Sequence, residues 1–328
     1  MTALVTGATG FLGLYIVEQL VARGERVRVF VRKPTPELER LGVEIARGDV
    51  TDRAAVIAAC AGVEAVYHVA AVAGIWGPWE HFYSINTQGT RNVIAGCRQH
   101  GVSRLIFTSS PSVSFDGGDQ AGIDERVPYP SRWLCHYPHT KALAEQEVLA
   151  AHESGRLATC ALRPHLIWGP RDRHLIPRLI ERARAGQLRR VGDGRNLIDM
   201  VYVENAAEAH LQAADALKDH NSPVGGKAYF ITQGEPVNCW DWINELLARA
   251  GLPPVTRSIS LGAAWAIGTA LEGVHRITGN DREPRMTRFL AAQLGRHHYF
   301  KISAARRDLG YAPRISTAEG MERLFAGE

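Results

Sequence analysis

The chain has 328 residues, 45% of them hydrophobic and 22% charged, with 38 basic against 34 acidic residues and a net charge of +4. That length holds one large α/β domain and a smaller one, and so mild a charge makes no electrostatic case for a nucleic-acid partner. The longest apolar run, Leu261 to Leu271, falls short of the roughly 18 residues a transmembrane segment needs and reads as a buried or interfacial helix.

The first half alternates strand and helix. Ala3–Val5 is a short apolar strand, leaving no room before it for a leader in the usual place. Gly10–Arg23 follows as an amphipathic helix with Leu14, Val17, Leu20 and Val21 on one face and Gly24 closing it. Strands are predicted at Arg26–Val31, Val43–Arg47, Ala65–Val69, Arg104–Thr108 and Thr159–Arg163, with helices over Thr51–Ala59, Phe82–His100 and Pro138–His152 between them. This alternation implies a doubly wound parallel sheet, a Rossmann fold, over residues 1–165. Past Pro164 helices dominate: Ile176–Ala185, Val203–Leu217, Trp240–Arg249, Leu261–Ile277 and Arg285–Leu294, with short strands near Asp199–Tyr202 and Ala228–Thr232. Residues 166–328 are therefore read as a smaller, mostly helical substrate domain, with Ala228–Thr232 a candidate to return to the main sheet.

Five scattered cysteines without a CxxC fit reduced thiols in the cytoplasm. With no HExxH, and His297-His298 alone, no metal is expected. Eight arginines fall between Arg171 and Arg195, either a solvated helix face or an anion-receiving rim.

Gly7, Gly10 and Gly13 lie between the first strand and the first helix. Glycines there let the backbone turn tightly and approach a pyrophosphate, which rests on N–H groups of the helix terminus, here those around Phe11 and Leu12. A second strand ending in an acid would bind a ribose 2′-hydroxyl and select NAD. This one ends in Arg32-Lys33, which suits a 2′-phosphate and favours NADP, with NAD the alternative. Asp49 and Val50 follow the third strand, placed to touch the adenine; Asp49 would alternatively cap the next helix.

Tyr137 and Lys141 are four residues apart and share a helix face. A nearby ammonium favours the phenolate and is expected to lower the phenol pKa. The chain has only five lysines, so the spacing carries weight. Ser110, at the carboxyl edge beyond Arg104–Thr108, is the candidate third member, with Ser112 in reserve.

These pieces resemble the extended short-chain dehydrogenase/reductase family over essentially the whole length. The matching segments are Thr6–Gly13, Gly48-Asp49, His68–Ala71, Asn86 with Gly89-Thr90, Thr108–Ser110, Tyr137–Lys141, Arg163-Pro164, Gly169-Pro170 and Arg307–Tyr311. The resemblance implies that Ser110, Tyr137 and Lys141 are catalytic, that Ala70 and Ala71 lie against the cofactor, and that Pro164 borders the nicotinamide. His68 and His139 are read as structural.

The likeness is to the 3β-hydroxysteroid dehydrogenase branch. Ala73–Gly77, Thr108–Val113 and Ala161–Pro170 imply NADPH-dependent reduction of a 2-alkyl-3-oxo acid to the 2-alkyl-3-hydroxy acid, as in bacterial long-chain olefin synthesis. Arg163–His165 and Gly169–Asp172 fit the alternative of a 3β-hydroxysteroid or decarboxylating sterol-4-carboxylate 3-dehydrogenase. A nucleotide-sugar epimerase or dehydratase is a further alternative, although no acid pair stands at Ser110-Pro111-Ser112. A non-catalytic cofactor sensor is disfavoured because tyrosine and lysine are both present. The expected partner is a small apolar acid, and the associations considered are a homodimer and an assembly of pathway enzymes. Trp76, Trp79, Phe82, Trp133 and Leu134, with Leu261–Leu271, are expected to wall its pocket, ordinary packing being the alternative. Arg171 and His174 are candidates to meet its carboxylate.

Overall fold

The structure is a computed structural model that describes residues 2–219 and 222–326. Seven strands, β1 (Thr2–Thr6), β2 (Arg26–Val31), β3 (Glu44–Arg47), β4 (Ala65–His68), β5 (Arg104–Thr108), β6 (Ala158–Pro164) and β7 (Lys227–Ile231), form one parallel sheet in the order β7-β6-β5-β4-β1-β2-β3. The order reverses between β1 and β4, and there the carboxyl ends of the strands open a crevice. Every residue of β5 and β6 is buried, as expected of strands covered on both faces.

Successive residues of β1 serve opposite cores. Val5 packs with Ile16 and Val17 of the first helix (Phe11–Ala22) and with Leu211 of the helix Val203–Ala216. Leu4 packs on the other face with Phe30, Val93, Leu105 and Val148, the last from the helix His136–Ala150. The chain beyond residue 165 thus serves two bodies. Val203–Ala216 and β7 complete the sheet layer, with Ala228 opposite Ala161, whereas Trp168, Trp240, Trp242, Ile243 and Leu246 build a separate core.

A four-stranded sheet of short pieces stands apart, in the order Val237–Asn238, Leu197–Ile198, His298–Phe300, Gln120–Ile123. Gln120–Ile123 comes from the first half and ties the two bodies together. Strands of two to four residues carry no readable period, and sequence reasoning missed them.

The single helix expected over Phe82–His100 is three segments: Trp79–Phe82, a wide π turn Tyr83–Gln88, and Gly89–His100. The π turn carries buried Asn86, whose amide brackets the Val72 backbone (Val72 N to Oδ1 2.8 Å, Nδ2 to Val72 O 3.2 Å) and donates to Thr140 Oγ1 (3.1 Å). Widened turns of this kind gather at functional sites. The helix expected from Arg285 starts at Arg288, because Thr287 caps it through Leu290 N.

Candidate active site

The crevice at the carboxyl edge is a cleft of about 1230 Å3 lined both by the glycine turn and by Ser110, Tyr137 and Lys141. At its cofactor end the backbone itself is the binding surface. Gly7 has φ of 70°, and a Cβ there would lie 2.7 Å from Ala70 N. A Cβ on Gly13 would run into the Gly7 carbonyl oxygen. Gly10 precedes the first helix in extended conformation and gives its terminus no side-chain cap, so the first turn, which lines the cleft, leaves N–H groups free of side-chain partners, as an anion site requires. A cradle that any side chain would fill, beneath an uncapped helix terminus, fits a dinucleotide pyrophosphate.

A directional chain of hydrogen bonds holds this turn to β4. Thr90 Oγ1 donates to Asn86 O (2.7 Å) and so accepts from His68 Nε2 (2.9 Å); His68 Nδ1 then accepts from Thr6 Oγ1 (2.8 Å), which receives the Val69 and Ala70 N–H groups. This order makes His68 a neutral ring, and burial first, with Lys141 adding to it, pushes its pKa down to about 3. His68 is a strut rather than a proton carrier.

Arg32, Asp49 and Val50 line the far end of the cleft, and Lys33 is exposed beyond it. Asp49 does not cap the following helix, because Asp52 does so through the N–H groups of Ala54 and Ala55. Asp49 instead accepts from Thr51 N (3.0 Å) and Oγ1 (2.8 Å), bonds that lower its pKa. Ala70, Ala71 and Pro164 line the middle of the cleft.

Tyr137 sits in the first turn of His136–Ala150, one turn before Lys141. Ser110, extended just beyond β5, lies near enough to the phenol to lower its pKa, and its hydroxyl shares a hydrogen bond with Ser112 (Oγ to Oγ 2.8 Å). The phenol pKa is raised, not lowered: burial is the leading cause, and the nearby Ser110 hydroxyl works against it. The expected help from Lys141 is absent from this arrangement. Its Nζ donates to the Thr108 carbonyl (2.5 Å) and stands 4.0 Å from the centre of the Phe107 ring. Burial lowers the Lys141 pKa to about 7, with Glu145 one turn on opposing the fall.

Glu145 belongs to a buried group that sequence reasoning missed. Arg163 of β6 grips it through Nη2 (2.5 Å) and Nε (3.0 Å), and Tyr129 donates to it (2.6 Å). This ties the helix that carries Tyr137 and Lys141 to the strand that carries Pro164. The only signal in the sequence was Arg163-Pro164 itself. Two further features had none: Ser109, in the cleft wall with a buried unpartnered hydroxyl, and Leu166, a non-glycine residue at φ of 43° on the same wall.

The substrate-side candidates separate. Ser112 and His174 line the cleft. Arg171 faces away, bound to Glu18 through both terminal nitrogens (2.7 and 2.8 Å) and stacked on Tyr15 at 3.9 Å. Arg178 and Arg182 line the cleft instead, and both pair with Glu283. Trp79 stacks on Tyr83, and Trp133 lies flat on His139 at 4.2 Å while its Nε1 donates to Val113 O. Trp76 reaches Asn280 O (3.1 Å). None of these three indoles lines the cleft, whose apolar wall comes instead from Ala73–Ile75 and Phe289. Among the described residues no group of three or more His, Cys, Asp or Glu is placed to hold a metal ion, and no helix is long and apolar enough to cross a membrane.

A dinucleotide cradle facing a Ser–Tyr–Lys group across one cleft defines an oxidoreductase acting on CH–OH/C=O with a nicotinamide dinucleotide. The chain belongs to the 3-beta hydroxysteroid dehydrogenase/isomerase family, whose model matches residues 4–261. It is 48% identical over 329 residues to a 2-alkyl-3-oxoalkanoate reductase of Stenotrophomonas maltophilia (99% of each chain). It is 46% identical over 330 residues to one of Shewanella oneidensis (99% of this chain, 85% of the other). It is 36% identical over 323 residues to the decarboxylating sterol-4-alpha-carboxylate 3-dehydrogenase of Homo sapiens (97% and 86%). Among solved structures, MoeE5 in complex with UDP-glucose and NAD matches with a TM-score of 0.73 at 25% identity, covering 99% of this chain and 98% of that one.

Proposed function

We propose that this protein uses NADPH to reduce the 3-oxo group of a 2-alkyl-3-oxo acid, giving the 2-alkyl-3-hydroxy acid. The observation that carries this reading is 48% identity along the whole chain to a reductase of that name. Gly7, Gly10, Phe11, Leu12 and Gly13 would hold the pyrophosphate, Asp49 and Val50 the adenine, and Ala70, Ala71 and Pro164 the nicotinamide end. Arg32, aided by Lys33, would take the 2′-phosphate, which is the reason to prefer NADP over NAD. When bound, the nicotinamide supplies the hydride.

The chain's own residues handle the oxygen. The hydroxyls of Ser110 and Tyr137 hydrogen-bond the ketone, where negative charge develops. Tyr137 gives up its phenolic proton, and a raised pKa keeps that proton in place at neutral pH until the oxygen claims it. Lys141 and the Thr108 carbonyl form the floor beneath this pair. The residues after Leu166 form the substrate side, and the cleft cations Arg178, Arg182 and His174 are the candidates to face the carboxylate. A reducing, cytoplasmic setting belongs to the same reading, on five scattered cysteines without a CxxC.

A second reading, oxidation of a sterol 4-carboxylate, is favoured by the identity to the human enzyme. Both are tested by a chain-length series of 2-alkyl-3-hydroxy acids in the oxidative direction. Each buried methylene contributes about 0.8 kcal/mol, so kcat/KM should climb roughly fourfold per carbon and then level off. A flat series, or faster turnover of a hydroxysteroid or a UDP-sugar, would assign the protein to another reaction.

A further inference from the structure

The helix Leu261–Thr278 is turned inside out. Its inward face carries Ala264, Gly268 and Glu272, all buried and four residues apart. Gly268 lies so close to the next segment that a Cβ there would stand 2.6 Å from Thr287 C. Glu272 accepts from Arg288 N (2.7 Å) and Nε (2.9 Å) and pairs with its Nη2 (2.7 Å), with Arg276 at 3.8 Å. This close approach and buried ion pair fix the rotation of the helix. At about 100° per residue, the opposite face then carries Ala263, Ala266, Ile267, Ala270, Val274 and Ile277, every one exposed. Ile267, Val274 and Ile277 are 45%, 55% and 89% exposed, and among the described residues they are the large hydrophobic side chains left exposed. An ordinary surface helix buries its apolar stripe and shows its charges. Here a carboxylate, Glu272, is inside and three large apolar side chains are outside.

Two features indicate what covers the stripe. Arg276, Arg282 and Arg285 are exposed at the carboxyl end of the helix, with two acids between them, Asp281 and Glu283; Glu283 is taken up by Arg178 and Arg182, so the apolar face ends in a basic margin. The same end meets the cleft. Trp76 Nε1 donates to Asn280 O, its ring lies edge-on to His275, and Arg276 stands over it at 5.8 Å. The loop before Trp76 lines the cleft from one side, and Phe289 and Gln293, past the helix, line it from the other.

We propose that the helix Leu261–Thr278 docks on an anionic lipid surface, with Ile267, Val274 and Ile277 in the acyl boundary and Arg276, Arg282 and Arg285 among the head groups. An apolar stripe with a basic margin is the pattern of a helix that lies in the interface plane, and each such arginine is drawn to anionic head groups. A second copy packed in parallel on this face would set the arginine clusters against each other. The docking stands independently of the reaction; the further step, that substrate enters the cleft directly from the lipid, rests on the apolar acid proposed above.

The test is flotation of the full chain, without substrate, on vesicles of phosphatidylcholine with roughly one phosphatidylglycerol in four, against phosphatidylcholine alone. The wild type should float with the anionic vesicles, and about tenfold less with the neutral ones or in roughly 1 M salt. The pair V274E and I277E should lose about tenfold or more of the binding, and R282E with R285E should lose its salt-sensitive part. These side chains are exposed, so an unchanged Tm and unchanged NADPH affinity will show that the variants fold. Failure of the wild type to float, or equal flotation of V274E/I277E, overturns the proposal. So does a concentration-dependent dimer that V274E/I277E dissociates while vesicles bind neither form, which assigns the face to a second copy. If flotation behaves as expected but no 2-alkyl-3-hydroxy acid is oxidised, the docking stands and the substrate reading fails.

Discussion

The two ends of the cleft are made in different ways. The cofactor end is backbone: the short turn from Gly7 to Gly13, three glycines and an uncapped helix terminus, with clearances that leave no room for a Cβ at Gly7 or Gly13. The substrate end is side chains from distant segments, such as Arg178 with Glu283 and Trp76 with Asn280, partly exposed and paired with one another. A backbone cradle is specified by local sequence and serves one ligand group. A wall assembled from scattered side chains depends on the whole fold, and it is the part that relatives sharing the fold can exchange.

The sharpest break between the two comes at Tyr137, where they meet. Tyr137→Phe should lower kcat by about 10²–10⁴, the usual worth of a placed proton donor, with cofactor Kd nearly unchanged. Stopped-flow turnover beside fluorescence titration of NADPH checks this, and near-normal turnover would remove Tyr137 from its role.

A smaller effect tests the cofactor end alone. Arg32→Ala should raise KM for NADPH about 10- to 100-fold, the loss of a charge-assisted contact worth about 1.5–3 kcal/mol. KM for NADH should stay within a factor of about two, because it carries no 2′-phosphate to lose the contact. Equal changes for both cofactors would count against the assignment.

Gly13→Ala sharpens the claim that backbone clearance is the device. The added methyl meets the Gly7 carbonyl, so overpacking should cost about 1–3 kcal/mol of stability and weaken NADPH and NADH alike. A variant that binds both normally would show that the cradle yields.

The last test concerns Lys141, where burial acts on a charge. Its folded pKa of about 7 lies below the ordinary 10.5, so between those values the unfolded chain binds the extra proton. Stability should therefore rise with pH from about 7 towards 10.5, the penalty being complete below pH 7. Lys141→Met should lose that slope relative to the wild type in urea titrations run at several pH values. Parallel curves would show that the buried lysine keeps its charge when folded.

The sheet, the glycine turn and the Tyr137–Lys141 spacing were legible because each is written in a local period or in residues a few positions apart. The short strands were hidden because two residues have no period, and the π turn because its cause is the contact of Asn86 with Val72 and Thr140. Of the two candidates to meet a carboxylate, His174 lines the cleft, whereas Arg171 is held by Glu18, 153 residues away along the chain.

By itself the sequence determined the chemistry it could carry: a parallel α/β sheet, a pyrophosphate turn at its amino end, and a phenol with an ammonium on one helix face. The tertiary structure decided how those groups are used. It set Lys141 on the Thr108 carbonyl rather than on the phenol, raised the Tyr137 pKa by burial, tied the helix that carries both to β6 through Glu145 and Arg163, and turned the apolar side of Leu261–Thr278 to the outside. The physical reason is range. Backbone propensity and helical spacing act within a few residues, whereas desolvation, ion pairing and helix rotation are set by neighbours that only the folded chain brings together.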